Sequence, residues 1–277
     1  MRAAAVQLTA TADRDRNLAT ADRLTRAAAA AGAELVVLPE KWSALGPGEM
    51  LLELAEPLDG PIVTAARGWA QRLGTTLLAG SVGERIEGSE RIANTSLLIA
   101  PDGEIEATYR KIHMFDVDVG GVSYRESEHE RAGEEVVVAP AAGTDLGMTI
   151  CYDLRFPELF RILALRGARV ITVPSAFTAT TGRDHWEVLL RARAIEDQLF
   201  VVAANQFGTA PPSFSSWGHS MIVDPWGRIL DVLADGEGHA IADLDLGEVE
   251  RVRAQVPSLA SRRDGAYAWP VEAGDRA

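Results

Sequence analysis

The run Ala3-Ala4-Ala5-Val6-Gln7-Leu8, the alanine-rich segment Asn17 to Ala31, and the run Glu34-Leu35-Val36-Val37-Leu38 together decide the fold class. The first run is short and apolar and reads as a buried strand. The second carries leucines at helical spacing and stops at Gly32, so it reads as a helix with a C-terminal glycine. The third reads as another buried strand, closed by Pro39. Strand, helix, strand is the opening of an α/β protein. The same grammar continues outward. Pro61 to Leu73 reads as a helix with proline in its first turn, and Thr76 to Ser81 as a strand. Thr95 to Ala100 and Glu104 to Tyr109 flank Pro101-Asp102-Gly103, which predicts an antiparallel hairpin. Lys111 to Glu135 is polar and glycine-containing and reads as a long loop. Asp145 to Ile150 is a strand ending at Cys151, and Pro157 to Arg166 a helix stopped by Gly167. Val170 to Val173, Leu199 to Ala204 and Ile241 to Leu244 are further strands, with a helix over His185 to Asp197. Ser220 to Val223 and Arg228 to Val232 form a second hairpin around Asp224-Pro225-Trp226-Gly227. Neither linker nor repeat interrupts the pattern. The expectation is one α/β domain over residues 1–277, with parallel pairs from crossovers and antiparallel pairs from hairpins.

Composition narrows the function classes. A chain of 277 residues buries a sizeable core without disulfides or metals. Its net charge of −13 argues against nucleic acid as a partner, which requires a concentrated basic surface. The one cysteine, Cys151, excludes an internal disulfide and a cysteine-rich zinc site. Met1 to Gln7 lacks the apolar stretch of a signal peptide, and the longest apolar runs fall far short of a membrane span. A cytoplasmic protein is expected.

Three residues stand where chemistry is performed in α/β folds. Cys151 lies between a strand and a helix, where nearby backbone N–H groups can hold an oxyanion and favour the thiolate. Lys111 follows Tyr109-Arg110 at a strand end and is one of very few lysines among many arginines. Glu40 follows Leu38-Pro39 at the end of a buried strand, a position suited to a general base. A rival scheme would pair Cys151 with one of His113, His129, His185, His219 or His239. No two histidines have metal-pair spacing on a helix, no glycine-rich phosphate loop joins a strand to a helix, and Asp116 and Asp118 lack the rest of a calcium pattern.

Leu38-Pro39-Glu40, Tyr109-Arg110-Lys111-Ile112-His113 and Ile150-Cys151-Tyr152-Asp153-Leu154-Arg155-Phe156-Pro157-Glu158, in that order and spacing, resemble the nitrilase, or carbon–nitrogen hydrolase, superfamily. Pro174-Ser175-Ala176-Phe177, His185-Trp186-Glu187, Arg191 to Glu196 and Gly218 to Gly227 look like its Nit branch, although Gly120 and Arg183 stand where that branch has proline. The resemblance implies a four-layer αββα sandwich with mixed sheets, commonly a homodimer, and no metal or cofactor. It implies a thiol nucleophile at Cys151, a general base at Glu40, a charge stabiliser at Lys111 and an assisting glutamate in the following loop. Glu126 is the candidate, with Glu128 and Glu130 close by. The implied reaction is hydrolysis of a small carboxamide through a thioester. The expected substrate is an amide whose acyl part carries a carboxylate, deaminated glutathione or α-ketoglutaramate. N-carbamoyl amino acids or nitriles are the alternative substrates on the same fold, and a catalytically silent scaffold is the alternative of another class. Arg155, four residues after Cys151, would hold the carboxylate by paired hydrogen bonds unless it bridges Glu158. Tyr152 joins it, and Thr181 and Arg183, in the loop before the His185 helix, would complete the pocket.

Overall fold

A computed structural model describes residues 1–210 and 214–266. Two β-sheets form the centre. In the first, the strands run in the spatial order Gly238–Asp243, Arg2–Gln7, Leu35–Val37, Thr76–Leu78 and Ala93–Ile99. Ala93–Ile99 also pairs with Val82–Glu84 and, on its other edge, with Ile105–Arg110. The second sheet runs Ile229–Leu233, Ser220–Val223, Phe200–Ala203, Val170–Thr172, Thr144–Met148 and Val138–Ala141. Both sheets are mixed: Arg2–Gln7 pairs parallel with Leu35–Val37 but antiparallel with Gly238–Asp243.

The period-two alternation of the opening strand explains the layering. Ala3 and Ala5 join a core that contains Leu146, Met148 and Val201 of the second sheet, while Ala4 and Val6 join a core that contains Leu24, Ala28, Ile62 and Trp69. The first set lies between the sheets. The second lies under the helices Arg14–Ala30 and Pro61–Leu73, whose apolar residues recur at helical spacing. Helices Pro157–Leu165 and Ala179–Asp197 cover the other side through Leu159, Phe160, Leu163, Trp186 and Leu190. The result is the αββα sandwich that the resemblance implied.

Three local expectations are corrected. The segment Lys111 to Glu135 is not plain loop: Asp116–Val119 and Val122–Arg125 form a hairpin turned by Gly120 and Gly121, followed by a 3-10 turn over Glu126–Glu128. The helix expected from His185 starts at Ala179, so Thr181 and Arg183 are helical rather than in a preceding loop. Within its first turns the helix packs tightly, since a Cβ on Gly182 would lie 2.3 Å from Trp217. Helices Gly48–Leu54 and Gly247–Gln255 and the hairpin Phe207–Ala210 with Phe214–Trp217 were not expected from sequence. Among the described residues no helix is long and apolar enough to cross a membrane.

Candidate active site

Glu40, Lys111 and Cys151 come from three strand ends and meet at one cavity of about 380 Å³. Glu40 follows the strand Leu35–Val37, and its partner strand Thr76–Leu78 continues through Gly80 into Val82–Glu84 along the same edge of Ala93–Ile99. Gly80 adopts φ 49° where a Cβ would sit 2.0 Å from the Pro39 carbonyl oxygen, so only glycine permits this approach directly before Glu40. The Glu40 side chain is 2% exposed. Its Oε1 accepts from Asn94 Nδ2 at 2.9 Å and Lys111 Nζ at 3.0 Å, and its Oε2 accepts from the Ala176 backbone N–H at 2.8 Å. Gln206 Nε2 donates to the Glu40 carbonyl at 2.9 Å. These bonds hold the carboxylate in place at the cavity wall.

Lys111 extends the strand Ile105–Arg110, and its backbone N–H donates to the Asn94 carbonyl at 2.9 Å. Its ammonium is 1% exposed and lies between two carboxylates, Glu40 and Glu126. The latter accepts at 2.7 Å and 3.0 Å and also takes the Phe115 N–H at 2.8 Å. Of the three loop glutamates, Glu126 is therefore the one on Lys111. Glu128 is exposed, and Glu130 bonds Lys41 at 2.6 Å instead.

Cys151 opens a 3-10 turn, Cys151–Arg155, between the strand Thr144–Met148 and the helix Pro157–Leu165. It has φ 48°, a left-handed conformation that is uncommon outside glycine and recurs where strain serves function. The turn is held by Asp153, which is fully buried. One oxygen of Asp153 accepts from the Tyr109 hydroxyl at 2.6 Å and the Ile150 N–H at 2.8 Å. The other faces His113 Nδ1 at 2.7 Å and accepts its backbone N–H at 3.1 Å. Asp153 thus fastens the cysteine turn to the segment that carries Lys111. His113 stacks on Phe156, 3.5 Å between ring centres, so it serves this scaffold. Among the described residues none of the five histidines hydrogen-bonds Cys151, and the Cys–His scheme finds no partner.

Comparison with known proteins bears on this geometry. The carbon–nitrogen hydrolase family matches residues 2–254. A deaminated glutathione amidase of Synechocystis sp. (strain PCC 6803 / GT-S) is 43% identical over 264 residues, covering 94% of this chain and 97% of that protein. The chain belongs to the carbon–nitrogen hydrolase family. The C. elegans NitFhit protein is similar in structure, with TM-score 0.91 and 36% identity over 96% of this chain. This hydrolase spans 66% of the NitFhit chain. An amidase mutant from Nesterenkonia sp. AN1, carrying the acetamide moiety of fluoroacetamide at its active-site cysteine, is similar at TM-score 0.82 and 27% identity, covering 96% of this chain and 95% of that one.

In this carbon–nitrogen hydrolase the electrostatics overturn one expectation. The turn was expected to favour a thiolate. Burial, and next the Glu40 carboxylate, push the Cys151 thiol well above its ordinary value, and Lys111 offsets only part of that. The resting nucleophile is a neutral thiol beside a carboxylate. Burial disfavours the charge on Lys111, but Glu126 and Glu40 outweigh it and hold the ammonium well above its ordinary value.

Tyr152, Arg155 and Thr181 line the same cavity, with Phe115, Tyr124, Phe177 and Phe214. The Arg155 guanidinium lies over the rings of Phe177 (5.1 Å) and Tyr152 (5.9 Å), and its Nη1 is 3.3 Å from His185 Nδ1. No carboxylate, Glu158 included, lies within bridging distance of it among the described residues. Arg183 is exposed and does not line the cavity, because the helix that begins at Ala179 turns it outward. Lys41, Asn94 and the Ala176 N–H were not singled out in the sequence and belong to the site.

Proposed function

We propose that this hydrolase is an amidase in which Cys151 is the nucleophile, Glu40 the general base and acid, and Lys111 with a backbone N–H of the Tyr152 turn the oxyanion donors. One observation carries the reading: a buried neutral thiol, a carboxylate held by three hydrogen-bonding contacts, and a buried ammonium line one cavity. Glu40 takes the thiol proton as sulfur attacks the amide carbon. The oxyanion forms beside Lys111. Glu40 returns the proton to the departing amine, and the carbonyl re-forms as a thioester. Water then gives a proton to Glu40 and its oxygen to the acyl carbon, and the thiol is restored. Glu126 keeps Lys111 charged and in place. Residues 1–277 are read as one such domain.

For the substrate, we infer an amide of a keto dicarboxylic acid. Deaminated glutathione leads, in which the departing amine is cysteinylglycine, and α-ketoglutaramate follows, in which it is ammonia. The similarity to a deaminated glutathione amidase supports this. So does Arg155, a cavity-lining guanidinium with no carboxylate partner among the described residues, placed over the rings of Phe177 and Tyr152. With a net charge of −13, the protein does not attract an anion from afar, so a local cation must select it. Arg155→Met is expected to lower kcat/KM for both keto-acid amides by about 10- to 100-fold, as loss of a charged hydrogen-bonded pair does, and to leave a neutral amide of similar size nearly unaffected. A wild-type preference for the neutral amide, or unchanged discrimination in the variant, would remove the anionic substrate from the reading.

We also propose a homodimer in a reducing, cytoplasmic setting, which the single unpaired cysteine fits. Ile162 and Leu165 on one outer helix, Val188 and Ile195 on the next, and Trp226 beside them expose large apolar surface that an isolated chain would leave wet. Light scattering at micromolar concentration should give twice the monomer mass, and Val188→Glu with Ile195→Glu should reduce it to one. A wild-type monomer would end the proposal.

A further inference from the structure

The sequence contains two lysines, Lys41 and Lys111, against 25 arginines. Both lysines lie in one buried network. Lys111 lies between Glu40 and Glu126, and Lys41 between Glu126 and Glu130. Lys41 Nζ is 2.9 Å from Glu126 Oε1 and 2.6 Å from Glu130 Oε1, and its side chain is 14% exposed. Charges therefore alternate along Glu40, Lys111, Glu126 and Lys41. A compact ammonium fits between two carboxylates at such spacing, whereas a guanidinium is a wide planar fork.

The backbone is arranged for this contact. Lys41 adopts φ 53°, the left-handed region, with its N–H donating to Ser81 Oγ at 3.0 Å. The chain thus turns sharply after Glu40, at a cost a side chain repays only if its direction matters. At the far end, Glu130 is 2% exposed. Among the described residues its Oε2 and the Oδ1 of Asn94 are both buried without a hydrogen-bond partner, and both residues line a small cavity of about 20 Å³ behind the site. Asn94 Nδ2 in turn donates to Glu40. Two orphaned acceptors facing one cavity call for a donor, and a proton on Glu130, relayed by a water that such a space admits, supplies it. Burial, and next the charge of Glu126, push Glu130 up to about 7, which makes that proton available near neutrality.

We propose that Lys41 is a positioning residue of the reaction: it pins Glu126 as a carboxylate against Lys111, so that Lys111 stays on Glu40 and faces the thiol, while Glu130 and Asn94 close the network behind it. The inference rests on the roles given above to Glu40, Lys111 and Cys151. Four charges balance in the network when Glu130 is protonated. Removing Lys41 leaves Glu126 and Glu40 sharing one ammonium in a buried place.

The test uses Lys41→Met, which keeps the length of the side chain and removes its charge, with Lys41→Gln in its place should the Met variant not fold. The kcat for deaminated glutathione is expected to fall about 10- to 100-fold, the scale of a misplaced catalytic group, with KM nearly constant. A second readout does not depend on the substrate: the rate at which iodoacetamide alkylates Cys151, the only thiol, as a function of pH. Glu126 is faced by Lys111, Lys41 and Glu130, and by Glu40 across Lys111. Burial pushes its carboxyl up, and Lys111 and Lys41 together hold it well below its ordinary value. Without Lys41 it titrates higher, so the acid limb of the alkylation profile should move to higher pH. A purely structural role would not move that limb in a folded variant. An unshifted alkylation profile in folded Lys41→Met or Lys41→Gln would overturn the proposal. Glu40→Gln separates the two levels. If it alkylates and turns over normally, the assignment of the base fails. If it is slow while Lys41→Met matches wild type, only the present inference fails.

Discussion

Cys151→Ala is expected to abolish amide hydrolysis and to leave the protein folded. No other thiol exists in the chain to take over. Loss of the nucleophile of a catalytic unit costs on the order of 10⁶ in kcat, which places the variant below detection in an ammonia or amine assay. The fold should tolerate it. Alanine has the same backbone restrictions as cysteine at φ 48°, the turn is fastened by Asp153 rather than by the thiol, and the change removes one atom at a cavity wall. A stability change within about 1 kcal/mol is expected. The check is amine release beside a thermal melt. A folded Cys151→Ala protein with substantial turnover would exclude a thiol mechanism.

Glu40→Gln and Lys111→Ala should each remove most of the activity for different reasons. Gln keeps the hydrogen bonds from Asn94 and Lys111 to an oxygen, but it takes no proton from a thiol that burial and Glu40 itself hold neutral. A general base contributes roughly 10²–10⁴ in rate, and here it acts in both acylation and deacylation. Lys111→Ala removes a donor to the oxyanion, typically about 10²–10³ in kcat. It also leaves Glu40 and Glu126 buried without the ammonium between them, so its Tm should fall; Glu40→Gln also loses stability, because its amide N–H meets the Ala176 N–H in place of an acceptor. Near-normal kcat in either folded variant would reassign that role.

Glu40, Lys111 and Cys151 were legible because each stands at a predicted strand end and because the three motifs around them resemble the family in order and spacing. The two sheets were legible because Ala3 to Leu8 and Glu34 to Leu38 carry their pattern locally. The short hairpin over Asp116 to Arg125 was not, since two four-residue strands, Asp-Val-Asp-Val and Val-Ser-Tyr-Arg, give too little signal. The start at Ala179 was hidden by Thr180, Thr181 and Gly182, weak helix formers on propensity, and the glycine is there because Trp217 leaves no room for a side chain. Lys41 carries no local signal in the sequence, and only Glu126, 85 residues away, and Glu130 make it part of the site. The choice among Glu126, Glu128 and Glu130 likewise depends on how the 3-10 turn at Glu126–Glu128 points each side chain. The thiolate expectation reversed because a strand-end position states nothing about burial or the carboxylate beside the sulfur.

The thioester on Cys151 is the centre of the mechanism, and hydroxylamine partitioning tests it most directly. Hydroxylamine attacks a thioester in competition with water, releasing the thiol and forming a hydroxamate. With wild-type protein turning over its amide substrate, hydroxamate should appear in place of the free acid in proportion to added hydroxylamine. With Cys151→Ala it should not appear at all. Turnover by the wild type that yields only free acid at saturating hydroxylamine, or hydroxamate formed equally by folded Cys151→Ala, would contradict an acyl-enzyme on Cys151.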